Sequence, residues 1–113
     1  MKTQRARIEG RKKRLKRELK RLKKALVRLG AKKIILFGSF ARGIIGRTTD
    51  IDLLVIKDTN ATFAERLAET YNSLIPRVST DILVYTQEEL DELSKWNIFI
   101  RRILKEGKVI YAA

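Results

Sequence analysis

Ile8, Leu15, Leu19, Leu22, Leu26 and Leu29 follow one another at spacings of three, four and seven. That rhythm brings apolar side chains back to one side of an α-helix. A helix with a single apolar stripe cannot stand alone in water, so the rest of the chain, or a partner, must offer a layer to cover it. Gly30 supplies a stop, and the Lys and Arg residues before it suit the negative end of the helix dipole. The spacing predicts a helix from about Arg11 to Leu29. Gly10 marks its start, and Met1–Glu9 is expected to be a mobile tail.

The covering layer is legible further on. Lys33–Phe37, Asp50–Ile56 and Val78–Tyr85 are short runs rich in β-branched residues, the signature of buried strands. Phe40–Gly43 reads as a short helix and Ile44–Thr49 as a loop. Thr62 and Glu65 form a capping box for a helix ending near Ile75, where Pro76 stops it. Its expected stripe is Ala64, Leu67, Ala68, Tyr71, Leu74 and Ile75. Thr86 and Glu89 cap a further helix to about Ser94. Trp96–Lys105 continues as helix, with Ile98, Phe99, Arg102 and Ile103 in register. Val109–Tyr111 closes as a short strand. The expectation is an α/β fold, a small mixed sheet with helices packed on it. Residues 1–30 form a basic arm and helix and 31–113 the domain proper, one compact unit overall.

Charge divides the chain at the same place. Met1–Lys33 holds 16 Lys and Arg against two acids, Glu9 and Glu18, whereas Ile34–Ala113 holds 10 bases and 11 acids. The basic helix face has two readings: a solvated outer surface, or an electrostatic surface for nucleic acid or an acidic partner. No aromatic side chain interleaves its bases, so base stacking there is not supported. The chain has no cysteine and no histidine. Disulfides, thiolate nucleophiles, Cys/His zinc sites and Ser-His triads are thereby excluded. The lack of cysteine fits a reducing cytoplasm. No apolar run approaches the ~20 residues of a membrane span. The basic N-terminus lacks the apolar stretch of a secretory signal.

Two features carry chemistry. Asp50 and Asp52 are two apart on an expected strand, so both carboxylates point to one face while Ile51, Leu53 and Val55 fill the other. Like charges so close repel, and a hard cation, Mg²⁺ or Mn²⁺, relieves the repulsion. A lone Asp-x-Asp is more often a solvated strand face, and a lone Gly-Ser more often a turn. Here Gly38 and Ser39 follow a buried strand and open a helix, where free N–H groups bind phosphate. Arg42 lies one turn on, within reach of the same phosphates. Together these features read as a nucleoside triphosphate site with a metal. Asp81 begins an apolar strand and is the candidate third carboxylate. The alternative for it is a strand-end Asp bonded to a turn.

Gly38-Ser39, ten residues, Asp50-Ile51-Asp52 and a later strand Asp together resemble the DNA polymerase β nucleotidyltransferase superfamily. The longer pattern Phe37-Gly-Ser-Phe-Ala-Arg-Gly43, with Thr49 to Leu53, resembles its minimal nucleotidyltransferases (MNT) over roughly Leu26 to Tyr111. Thr49 stands where that family usually has Ser, and the basic arm exceeds its usual leading helix. The resemblance implies that Asp50 and Asp52 ligate two Mg²⁺ ions. It gives Asp81 the catalytic ion and the acceptor hydroxyl, and Gly38, Ser39 and Arg42 the phosphates of ATP. It further implies transfer of AMP to a hydroxyl of a partner, commonly a small helical HEPN protein whose antitoxin the chain would be. With no residues left for an acceptor domain, the acceptor is expected to come from another molecule. Nucleic-acid binding through the basic helix, and neutralisation of a partner by contact alone, are the alternatives.

Overall fold

In the structure, a computed structural model describing residues 3–113, the basic segment is helical earlier than its spacing predicts. Helix α1 spans Gln4–Arg28. The Thr3 hydroxyl accepts a hydrogen bond from the Ala6 N–H at 3.1 Å, an N-cap that starts the helix. The helix then runs straight through Gly10, whose cost of about 1 kcal/mol a long hydrogen-bonded ladder absorbs. The expected tail is therefore helix from Gln4 onward, and its Met1 and Lys2 lie outside the described residues. At the other end Gly30 adopts φ +98°. The Gly30 N–H donates to the Val27 carbonyl and the Ala31 N–H to the Leu26 carbonyl, closing the helix as a Schellman motif.

The remaining elements are β1 Lys33–Phe37, α2 Gly38–Ala41, β2 Ile51–Ile56, α3 Phe63–Leu74, β3 Thr80–Tyr85, α4 Gln87–Leu93, α5 Ile98–Glu106 and β4 Lys108–Ala112. The four strands form one mixed sheet in the order β3-β2-β1-β4. β1 runs antiparallel to β2 and to β4, while β2 and β3 are parallel and α3 makes the crossover between them. One face buries Ile34, Leu36, Leu53, Val55 and Val84 beneath Leu15, Leu22 and Leu26 of α1 and Leu74 of α3. The other buries Ile35, Leu54 and Ile56 beneath Leu90 of α4 and Ile100 and Ile103 of α5. The leucine stripe of α1 thus forms part of the main core. Leu22 is fully buried there, so Leu22→Asp should cost more than about 3 kcal/mol, the lost apolar burial plus an unpaired charge. A thermal melt checks this.

Two expected stripes are rotated. In α3 the buried residues are Arg66, Thr70 and Leu74, and Ala64, Ala68 and Ile75 are exposed. Arg66 turns inward because its guanidinium is fully partnered. It pairs with Glu89 at 2.6 Å and donates to the Val84 and Ala61 carbonyls. In α5 the buried residues are Ile100 and Ile103, while Ile98 and Phe99 face outward. The helix expected from Trp96 begins only after Asn97, whose side chain accepts from the Ile100 N–H at 3.0 Å. Trp96 itself sits in the exposed turn before it.

The α1–α3 contact is fixed by a polar knot. Glu18 binds the Arg21 guanidinium through both oxygens and accepts the Arg77 N–H at 2.6 Å. Arg21 in turn donates to the Leu74 and Ile75 carbonyls at the end of α3. The hydrogen bond from Arg21 holds the Glu18 carboxyl below its ordinary range. No helix of the described residues is long and apolar enough to cross a membrane.

Candidate active site

Three strand ends meet at one edge of the sheet. Phe37, the last residue of β1, pairs with Asp52. Asp52 in turn sits beside Asp81 in the parallel register of β2 and β3. Side chains alternate along a strand, and Leu54 and Ile56 face α4 and α5. Asp52 therefore points to that same face, and so does Asp81, two residues before Leu83. The helices cover the later part of both strands and leave the two acids uncovered, with Asp52 half-buried and Asp81 exposed.

β2 begins at Ile51, so Asp50 precedes the strand rather than lying in it. It is half-buried, and its charge still acts on Asp52. The Asp52 carboxyl is pushed up to about 6, first by burial, then by the neighbouring charges of Asp81 and Asp50. The loop that delivers Asp50 is tied by Thr49. Its hydroxyl accepts the Gly46 N–H at 2.7 Å, and its carbonyl accepts from Arg11 of α1 at 2.8 Å. The hydroxyl of Thr49, which stands where the resembled family usually has Ser, thus shapes the loop.

Gly38 turns the chain from β1 into α2 with φ +77°. A Cβ built on it would collide with the Asp52 carboxylate, so no other residue fits this position without moving the acid. α2 starts at Gly38 itself rather than at Phe40, and no side chain caps its N-terminus. Ser39 occupies its first turn. Arg42 closes α2, its N–H donating to the Ser39 carbonyl at 3.1 Å, and its side chain is exposed. Arg42 also borders a cavity of about 200 Å³ beside Gly38, shared with Phe37, Phe99, Arg102 and Glu106. All six sequence-predicted residues lie at this edge, Arg42 at its rim.

Two further contributors carry no functional mark in the sequence. Tyr71 of α3 donates its hydroxyl proton to the Thr80 carbonyl at 2.9 Å and accepts the Ile82 N–H at 2.8 Å, gripping β3 on both sides of Asp81. Its place in a helical stripe reads only as packing. Phe99 meets Phe37 edge-to-face at 5.9 Å and forms the cavity wall. Its period also suggests core, and only the turn at Trp96–Asn97 rotates it outward.

Among the described residues no three acids converge into a ready-made cation cage. The donor chemistry nevertheless suits Mg²⁺. Among the described residues, Asp52, Asp81 and Asp50 have no basic ion-pair partner, and Mg²⁺ is characteristically held by one or two carboxylates plus phosphate oxygens.

A protein of Methanocaldococcus jannaschii, provisionally named a protein adenylyltransferase, is 38% identical over 80 residues, covering 71% of this chain and 78% of that protein. A crystal structure of a toxin–antitoxin with AMP-PNP shares the fold with a TM-score of 0.51 at 21% identity, covering 84% of this chain and 70% of that one. The nucleotidyltransferase domain family model matches residues 12–111, from within α1 to β4. The chain with Gly38 packed against Asp52 belongs to the nucleotidyltransferase domain family.

Proposed function

We propose that this nucleotidyltransferase transfers AMP from ATP, with Mg²⁺, to a hydroxyl of a partner protein, and that it serves as the antitoxin of a small helical HEPN-type toxin. The observation that carries the reading is the register of Asp52 against Asp81 with Gly38 closed over Asp52. The name of the M. jannaschii relative supports protein adenylylation. The toxin–antitoxin neighbour with AMP-PNP supports an adenine nucleotide and a protein partner.

Asp50, Asp52 and Asp81, completed by triphosphate oxygens, would hold Mg²⁺, with Mn²⁺ suited to the same donors. When bound, the metal supplies charge neutralisation at the α-phosphorus and its leaving oxygen. The N–H groups of Gly38 and Ser39 at the uncapped start of α2 bind the β- and γ-phosphates, and Arg42 adds a cation from the end of the same helix. Asp81, on the exposed side of the pair, faces the incoming hydroxyl and helps to accept its proton. The acceptor oxygen bonds to the α-phosphorus as the bond to the β-phosphate oxygen breaks, and pyrophosphate leaves.

Catalysis of this kind rests on positioning, and misplacing a reacting group by ~1 Å costs on the order of a hundredfold. The acceptor side of the site is open. We therefore expect the chain alone to bind Mg-ATP weakly and to release almost no pyrophosphate. Adding the helical partner should switch on pyrophosphate release and raise the partner's mass by AMP units, carried on a tyrosine. Rapid release without a partner, or no mass gain with it, would overturn this assignment.

A further inference from the structure

The face of α1 turned away from the core presents a row of bases. Lys13, Lys16, Arg17, Lys20, Lys24 and Arg28 are all exposed, spread along a 25-residue helix of about 37 Å. None of the six is in an ion pair among the described residues. Of the two acids of α1, Glu18 is buried in the knot with Arg21 and Arg77, and Glu9, four residues before Lys13, can face only the first base of the row. Lys13–Arg17, Lys20–Lys24 and Lys24–Arg28 stand four apart, where like charges repel and weaken a helix. A groove beside Arg17, about 600 Å³, adds Arg14 and Arg77 to the same positive surface. The hydrophobic stripe explains why α1 docks. It does not explain a self-repelling outer row.

From this surface we infer that the outer face of α1 binds the phosphate backbone of a nucleic-acid duplex. Protein interfaces have apolar, charge-depleted centres in which lysine is scarce, and this row has no such centre. Single-strand binders stack bases on aromatic rings, and α1 has none. The row holds no Asn, Gln, Ser or Thr to read the other bases, and its two arginines, the residues that most often read guanine, stand eleven positions apart. What remains is backbone neutralisation without sequence preference. This surface lies on the helix layer opposite α4 and α5, so a duplex there leaves the Asp52–Asp81 edge free.

The test is fluorescence anisotropy of the full chain with labelled DNA and RNA duplexes of about 20 base pairs, from about 50 to 200 mM KCl. Log affinity should fall with log salt at a slope of roughly −4.5 to −5.5, as five or six phosphate contacts require. Replacing Lys13, Arg17, Lys20 and Lys24 together with Gln should flatten that slope by about 3 to 4. The variant should melt no lower than the wild type, because none of the four packs in the core and their mutual repulsion is relieved, and its Mg-ATP affinity should be unchanged, because none lies in the active site. Salt-independent binding, wild-type binding by the variant, tighter binding to single strands, or a tenfold preference for one base sequence would each overturn the inference. So would competition by poly-glutamate as effective, charge for charge, as the duplex, which would mark the face as a site for an acidic protein.

Discussion

Asp52→Asn should lower the Mg²⁺-dependent affinity for ATP more than roughly 100-fold, beyond the range expected when only an outer-shell partner of a metal is lost. The same change should stabilise the metal-free protein. In the folded chain the Asp52 carboxyl is raised to about 6 by burial and by Asp81 and Asp50, against about 3.9 when unfolded. The folded state therefore binds the proton more tightly. This residue's contribution to stability is highest below about pH 4, declines as pH rises through about 6, and is flat beyond. After allowance for solvent screening at a partly exposed site, the loss at neutral pH is about 1–2 kcal/mol. Asparagine keeps the shape of the carboxylate beside Gly38 and carries no charge, so the melting temperature at pH 7 should rise by at least about 4 °C. Calorimetry with and without Mg²⁺, and melts from pH 4 to 8, check both halves. Equal ATP affinity in the two proteins would remove Asp52 from the site. An unchanged pH profile would show that its charge is already compensated.

Asp81→Asn should separate binding from transfer. Asp81 is the exposed member of the pair and is assigned to the acceptor hydroxyl. Its loss should cut partner-dependent pyrophosphate release by roughly 10²–10⁴, the scale of a general base, with Mg-ATP affinity falling by less than about tenfold. Tyr71 holds the backbone on both sides of Asp81 independently of its carboxylate, so β3 should keep its position in the variant. Single-turnover assays with the partner, beside equilibrium nucleotide binding, give both numbers. Full activity in this variant would move the proton acceptor elsewhere.

The strands, the capping boxes at Thr62 and Thr86, and the α/β class were legible because each rests on local chemistry: β-branched runs, an N-cap hydroxyl with its Glu, a glycine stop. Gly38, Asp52 and Asp81 were legible only in combination: a glycine turn opening a helix is commonplace, but beside paired acids on the next strand and another acid in an apolar strand it calls for a reason. Failures came where a tertiary partner overrode a local rule. Arg66 faces inward only because Glu89, distant in sequence, meets it, and no periodicity contains that fact. Phe99 shares the helical period of Ile103, and the break at Asn97 that turns it outward is a matter of one side-chain cap. Tyr71 looked like one more apolar position, since its hydroxyl bonds to a strand that sequence spacing does not place beside it.

Asp52 and Asp81 are neighbours only because β2 and β3 are parallel, with α3 as the crossover between them. A parallel pair cannot form from a tight turn. It requires closing a long loop before any strand contact rewards it. The antiparallel β1–β2 pairing, which seats Gly38 against Asp52, closes a shorter one. During folding, the phosphate half of the site should therefore organise ahead of the acceptor half, and a chain that has not yet docked α3 has no carboxylate pair. Amide exchange should show β3 opening more readily than β1 and β2, which makes the parallel seam the point at which local unfolding would switch transfer off without dissolving the rest of the domain.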